Sequence, residues 1–187
     1  LSNLSLQEAL LEQAIRDPLT GLFNRRYLEE TLGRELHRVQ RTSTTLCLAM
    51  LDVDHFKSFN DNYGHEAGDD VLRALGEVFR EGLRKSDIPC RFGGEEFTII
   101  LPDANLENAR LRVGSICKAF KALEIRSGGK LLPPSSLSAG IAIAPNHGMA
   151  PEVILRVADG ALYAAKLGGR DRVAIAEINR AISPSSK

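Results

Sequence analysis

Apolar positions along the chain recur with two different periods, and the switches between them divide it into elements. Leu28, Leu32, Leu36 and Val39 are spaced three and four apart, which predicts a helix over residues 25–40 with Asn24 placed to cap it. The same period predicts a helix over 67–85, with Val71, Leu72, Leu75, Val78 and Phe79 inward, another over 106–123, and a last one over 151–167 opened by Pro151. Residues 4–16 form a shorter helix-prone stretch in which Leu4, Leu11 and Ile15 share a stripe that Glu8 interrupts. It reads as the end of a signalling helix, broken by Asp17-Pro18-Leu19-Thr20-Gly21. Strand patterns lie between the helices. Residues 44–51 are a continuous apolar run, as expected of a buried central strand, and lead into Asp52 and Asp54. Runs at 88–92 and 97–101 flank Gly93-Gly94, a two-residue hairpin signal in which glycine would supply positive φ and let a ligand approach the backbone. A strand over 136–144 alternates, and another lies near 172–175; 127–134 and 183–187 read as loose. Strand pairs interleaved with helices predict an α+β fold. The expected core is ferredoxin-like, a mostly antiparallel sheet flanked by helices, with a short N-terminal helix added.

Bulk properties narrow the partners. A chain of 187 residues supports one well-packed domain, expected over 17–176, with 1–16 as a linker or signalling helix and 177–187 as a tail. Lys plus Arg equals Asp plus Glu at 24 each, so no overall field draws in nucleic acid, and an anionic ligand must be held by a local cluster. No apolar run approaches the roughly 20 residues that cross a bilayer. Cys47, Cys90 and Cys117 are isolated among apolar neighbours and read as reduced core thiols; His37, His55, His65 and His147 lack zinc-site spacing and read as surface or capping residues. The chain begins at Leu1 with no signal-peptide pattern, which reads as a piece of a longer protein whose regulatory domain lies upstream.

The chemistry gathers at the hairpin. Glu95 and Glu96 follow the two glycines directly, and adjacent carboxylates repel unless they are exposed or share a cation. If the first strand neighbours the hairpin, Asp52 and Glu95 can converge on a hard cation, for which Mg²⁺ completed by water and substrate phosphates fits best. Asp54 is either a further ligand or a cap for the following turn. Lys57, and Lys166 with Arg170 four residues on, are cations placed to meet phosphates.

These residues stand in ordered motifs. Asp17-Pro18-Leu19-Thr20-Gly21-Leu22-Phe23-Asn24-Arg25-Arg26, Leu51-Asp52-Val53-Asp54-His55-Phe56-Lys57, Asn60-Asp61-Asn62-Tyr63-Gly64-His65, Gly68-Asp69, Gly93-Gly94-Glu95-Glu96-Phe97 and Ala164-Ala165-Lys166 with Gly169-Arg170 follow one another at family spacing. From about residue 17 to 173 the chain resembles the GGDEF domain of diguanylate cyclases, in its GGEEF form. The resemblance implies a fold akin to the nucleotidyl cyclase core and a reaction joining two GTP into cyclic di-GMP with release of two pyrophosphates. It implies that Asp52, the Val53 carbonyl and Glu95 bind Mg²⁺, with Mn²⁺ as a substitute, and that Glu95 or Glu96 assists deprotonation. Asn60 and Asp69 would recognise guanine, Phe56, Lys57, Lys166 and Arg170 the triphosphate, and Gly93 and Gly94 would let the nucleotide lie against the hairpin. A homodimer would bring two GTP together, in the cytosol. Arg84-Lys85-Ser86-Asp87 resembles the family's product-inhibition pattern, with Arg84 and Asp87 as the binding pair. The family often adds an arginine from the next helix, where this chain has Ser115 with Arg110 and Arg112 nearby. Without the family, Arg84 is simply a cation favoured at a helix C-terminus. The alternative function is an inactive domain of the same type that senses GTP or cyclic di-GMP.

Overall fold

The computed structural model describes residues 12–178. Of the N-terminal helix, residues 12–15 are helical, and its earlier part and the tail from 179 lie outside the described residues. The centre of the fold is two eight-residue strands, β2 (Leu46–Val53) and β7 (Leu137–Ala144), buried at every position. They pair antiparallel from Leu46 opposite Ala144 to Val53 opposite Leu137. On the other side of β2 lies β4 (Glu96–Pro102), then β3 (Ile88–Arg91), both antiparallel to their neighbours, with the two-residue β1 (Phe23–Asn24) and β8 (Val173–Ile175) closing the edges in parallel. The order β1-β3-β4-β2-β7-β8 contains the four-stranded ferredoxin-like core.

Strand periodicity explains why both faces of the sheet are covered. Leu46, Leu48 and Met50 point to one side, where they pack with Leu28, Leu32, Leu36 and Val39 of α1 (Arg25–Thr42) and with Ile154, Ala158 and Leu162 of α5 (Pro151–Leu167). Cys47, Ala49, Leu51 and Val53 point to the other, against α3 (His65–Gly82) and α4 (Leu106–Ala122). Asn24 caps α1 as expected, its side-chain oxygen accepting from Tyr27 N at 3.0 Å. The central strand runs two residues further than its apolar run suggests, because Asp52 is still paired with Glu96 and Ser138.

Two local expectations change. The two glycines that make a positive-φ hairpin are Gly128 (φ 53°) and Gly129 (φ 80°), joining β5 (Arg126–Ser127) to β6 (Lys130–Leu131) in the segment read as loose. Gly93 and Gly94 do not have positive φ. Their turn is longer, closed by Phe92 N to Glu96 O at 2.8 Å and Glu96 N to Gly93 O at 3.3 Å. A helix that no apolar stripe announces, α2 (Phe56–Tyr63), precedes α3, and Gly64 at φ 88° separates the two. Its residues Ser58, Asn60, Asp61 and Asn62 are weak helix formers, and Phe56, Phe59 and Tyr63 hold it by stacking in sequence.

Gly140, in the middle of β7, is where α5 approaches closest. A Cβ there would lie 2.0 Å from Leu162 N and 2.3 Å from Ala158 O. The helix that carries Lys166 is thus seated on a bare backbone.

Candidate active site

Asp52, Val53, His55, Phe56, Lys57, Glu95, Lys166 and Arg170 line one cleft of about 160 Å³. Four separate stretches meet there: the end of β2, the start of α2, the β3–β4 turn, and the end of α5 with its following loop. All the metal ligands and triphosphate contacts expected from the sequence fall on this list. The turn is fastened to the strand by Val53 N donating to Glu95 O at 3.2 Å. Lys166 Nζ lies 3.0 Å from Asp52 Oδ2, so a cation already answers that carboxylate. Burial pushes the Asp52 carboxyl above its usual range; Lys166 opposes this, and Glu95 and Glu96 add to it.

This donor set fits Mg²⁺. Two carboxylates and a carbonyl are hard oxygen donors, too few to close a cage, and leave room for water and phosphate. Among the described residues no group of three or more His, Cys, Asp or Glu side chains could hold a metal without such help. The raised Asp52 carboxyl gives a stability prediction with a definite sign. A carboxyl raised on folding contributes stability below its unfolded value of about 3.9, and this is lost as pH rises through the folded value. Asp52→Asn is therefore expected to melt at a higher temperature than wild type at pH 7 without divalent metal, the gap closing towards about pH 4. Thermal melts across that range check it.

Asp54 belongs elsewhere. It is buried and accepts from Ser136 Oγ and Ser138 Oγ, both at 2.6 Å, and from Asp171 N at 3.1 Å. These bonds tie β2 to β7 and to the loop before β8, so Asp54 neither faces the cleft nor caps the next turn. Arg91 and Asp17 are residues whose role the sequence reading missed. Arg91 donates to Gly94 O at 2.8 and 3.1 Å and to Asp17 at 3.1 Å, while Asp17 also accepts from Thr20 N and Oγ1. One guanidinium fixes the tip of the turn to the N-terminal loop. The signal was an arginine three residues before the glycine whose carbonyl it binds.

The expected guanine contacts sit on the α2–α3 pair. Asn60 packs over Gly68, where a Cβ would come within 1.9 Å of Asn60 Oδ1, and Asp69 is the next residue of α3. Asn60 Oδ1 is buried with no donor among the described residues, an arrangement that costs about 1–3 kcal/mol until a donor arrives. Gly68→Ala is expected to keep the fold, since alanine favours helix and the clash falls on a side chain, yet to displace Asn60 and weaken GTP binding about tenfold. Calorimetric titration with GTP beside a thermal melt checks both halves.

Arg84 lies beyond the end of α3 at Gly82, so it is a loop residue and not the helix-terminal cation expected. Asp87 closes this loop: its Oδ2 accepts from Arg84 N at 2.9 Å. Its Oδ1 accepts from Arg112 at 2.8 Å, and the carboxylate is fully buried. A neighbouring depression of about 300 Å³ is lined by Arg84, Asn108, Leu111, Arg112 and Ser115, and Arg84 and Arg112 are the two residues that hydrogen-bond Asp87. The three cysteines are buried and their thiols pushed up to about 12 by desolvation. His55 and His65 stand at the starts of α2 and α3, and His147 Nδ1 accepts from Ile143 N at 2.9 Å. No described helix is long and apolar enough to cross a membrane.

Comparison with known proteins agrees with this fold. Residues 14–172 match the family model described as diguanylate cyclase, GGDEF domain. The chain is 42% identical over 166 residues to the diguanylate cyclase DgcP of Pseudomonas aeruginosa, a match covering 88% of this chain and 24% of DgcP, so it spans only a minor part of that relative. The coiled coil and GGDEF domain of DgcB from Caulobacter crescentus, solved with c-di-GMP, superposes with a TM-score of 0.85 at 34% identity, covering 92% of this chain and 91% of that one. The active GGEEF domain of a diguanylate cyclase from Vibrio cholerae gives 0.76 at 31% identity, covering 82% and 97%. With the sheet order, the cleft and the family match in agreement, the chain belongs to the GGDEF domain family of diguanylate cyclases.

Proposed function

We propose that this domain is a diguanylate cyclase that joins two GTP into cyclic di-GMP and two pyrophosphates. The observation that carries the reading is the meeting of Asp52, Lys57, Glu95, Lys166 and Arg170, distant in sequence, in one cleft. Lys57, Lys166 and Arg170 hold the triphosphate, with Phe56 beside it and Gly93 and Gly94 leaving the turn open to the nucleotide; a Cβ on Gly94 would meet nothing within 4 Å. Asn60 and Asp69 select guanine: a carboxylate accepts from N1 and N2 donors that adenine lacks, and an amide complements the same edge.

Asp52, the Val53 carbonyl and Glu95 would hold Mg²⁺. The metal's contribution is to lower the pKa of the attacking 3′-hydroxyl and neutralise charge on the α-phosphate and leaving pyrophosphate. Glu95 takes the proton from that hydroxyl, with Glu96 as the competing base next to it. The 3′-oxygen of one GTP then bonds to the α-phosphorus of the other as pyrophosphate leaves, and the reciprocal step closes the ring. Each chain holds one GTP, so a homodimer in the cytosol, where GTP is, makes the product, and orientation of the two chains sets the rate.

Product returns to the pocket at Arg84 and Asp87. Because Asp87 is covered by Arg112, a guanine reaching that carboxylate must first displace Arg112, which can then fork onto a phosphate. Incubation with GTP and Mg²⁺, followed by chromatography for cyclic di-GMP, tests the activity; no product even with enforced dimerisation would sink it. Arg84→Ala is expected to raise the half-inhibitory concentration of cyclic di-GMP at least about tenfold with turnover retained, a loss comparable to one charge-assisted hydrogen bond. Inhibition curves on the two proteins decide this.

A further inference from the structure

A second and larger cavity, of about 450 Å³, opens between α4 and the loop before β8. Arg110, Lys118, Lys121 and Arg172 line it, against a single carboxylate, Asp171. Among the described residues Lys118 and Arg172 have no carboxylate partner, while Arg110 is paired with Glu107 and Lys121 with Asp171. Leu111 and Val173 give it apolar walls, and Gly114 leaves space between the basic side chains. In a chain of zero net charge, two uncompensated cations, Lys118 and Arg172, thus stand beside two that are already paired. The volume is that of a small-molecule site, well short of a nucleic-acid track. We propose that this cavity binds a compact phosphate anion, either pyrophosphate or the phosphate of a nucleotide, and that it is coupled to the cleft through Lys121 and Asp171.

The coupling follows from the backbone. Gly169, Arg170 and Asp171 have φ of 109°, 63° and 48°, so two consecutive non-glycine residues are held in the left-handed region. Such residues cost on the order of 1–3 kcal/mol each and persist only where surrounding contacts fix them. Here the contacts are Arg170 N to Ala165 O at 3.0 Å, Arg172 Nε to Arg170 O at 3.0 Å, Asp171 N to Asp54 at 3.1 Å, and the Lys121–Asp171 ion pair. Arg170 lines the cleft and Asp171 lines the cavity, so the strained pair spans both. An anion that draws Lys121 away from Asp171 releases one of these four ties and loosens the seat of Arg170.

Calorimetry on this chain without divalent metal, with pyrophosphate and with AMP as probes, tests the site; AMP lacks the guanine edge that Asn60 and Asp69 would read. Lys118→Glu, which breaks no ion pair, is expected to weaken binding about tenfold through charge reversal at short range. Lys57→Glu, on the cleft, should change it less than about twofold, being screened by distance. Tighter binding of AMP assigns the site to an organic phosphate, and tighter binding of pyrophosphate assigns it to the inorganic ion. Loss below about threefold in Lys118→Glu, equal or greater loss in Lys57→Glu, or no binding of either probe at millimolar concentration overturns the site. For the coupling, Lys121→Met should raise the KM for GTP about threefold with kcat nearly unchanged, and Lys121→Arg should restore it. A wild-type KM in Lys121→Met overturns the coupling. This kinetic arm rests on the cyclase reading and the binding arm does not, so a chain that binds pyrophosphate through Lys118 but makes no cyclic di-GMP separates the two failures.

Discussion

Glu95→Ala is expected to lower cyclic di-GMP formation by roughly 10²–10⁴-fold while leaving the fold and its melting temperature near wild type. The two halves of this result have different origins. The Glu95 side chain lies at the cleft, and the residue's structural bond is made by its backbone, Val53 N to Glu95 O, which alanine keeps. On the proposed mechanism, removing the carboxylate takes away a metal ligand and the proton acceptor for the 3′-hydroxyl in one step. It also removes a like charge beside Asp52, which relaxes the ground state while disabling the reaction. Discontinuous assay at saturating GTP and Mg²⁺, with a melt on the same preparation, gives both readings. A mutant turning over at the wild-type rate would overturn the metal assignment, and a collapsed melt would show that Glu95 is a structural residue.

Gly140→Ala is expected to destabilise the domain by roughly 3 kcal/mol or more, a large effect for one added methyl. The atoms it would strike, Leu162 N and Ala158 O, are backbone, so no rotamer change relieves the clash and α5 must lift from β7. For a domain of this size that corresponds to a fall in melting temperature of about 6–12 °C. Because α5 also delivers Lys166 to Asp52, residual activity should fall even below the melting transition. Differential scanning calorimetry and an assay at low temperature separate the two effects. A melt within about 2 °C of wild type would mean that the sheet yields at this point.

The central layer of the fold is legible in the sequence because its period is unambiguous. The eight buried residues of β2 divide cleanly between two faces, and the stripes of α1, α3 and α5 match them. α2 was not legible, since aromatic stacking and a left-handed His55 at its start hold a segment that local propensity disfavours. The two Gly-Gly pairs show a similar limit. The pair at 128–129 makes the tight positive-φ turn and that at 93–94 does not, because Arg91 and Asp17 shape the second from outside the local sequence. Of the site residues identified by motif, Asp52, Val53, Phe56, Lys57, Glu95, Lys166 and Arg170 line one cleft, while Asn60 and Asp69 stand on α2 and α3 outside its lining. Those that depend on contacts between distant segments, Arg112 over Asp87 and Asp54 among two serines, had no local signal.

That last residue bears on how variants of this domain are sorted. Asp52 and Asp54 stand two apart in one strand-end motif, yet one belongs to the cleft and the other is a rivet joining β2, β7 and the loop that presents Arg170. In a screen that scores activity alone, loss of either aspartate is expected to give the same phenotype. Only a parallel measure of how much folded protein accumulates tells the reagent from the rivet.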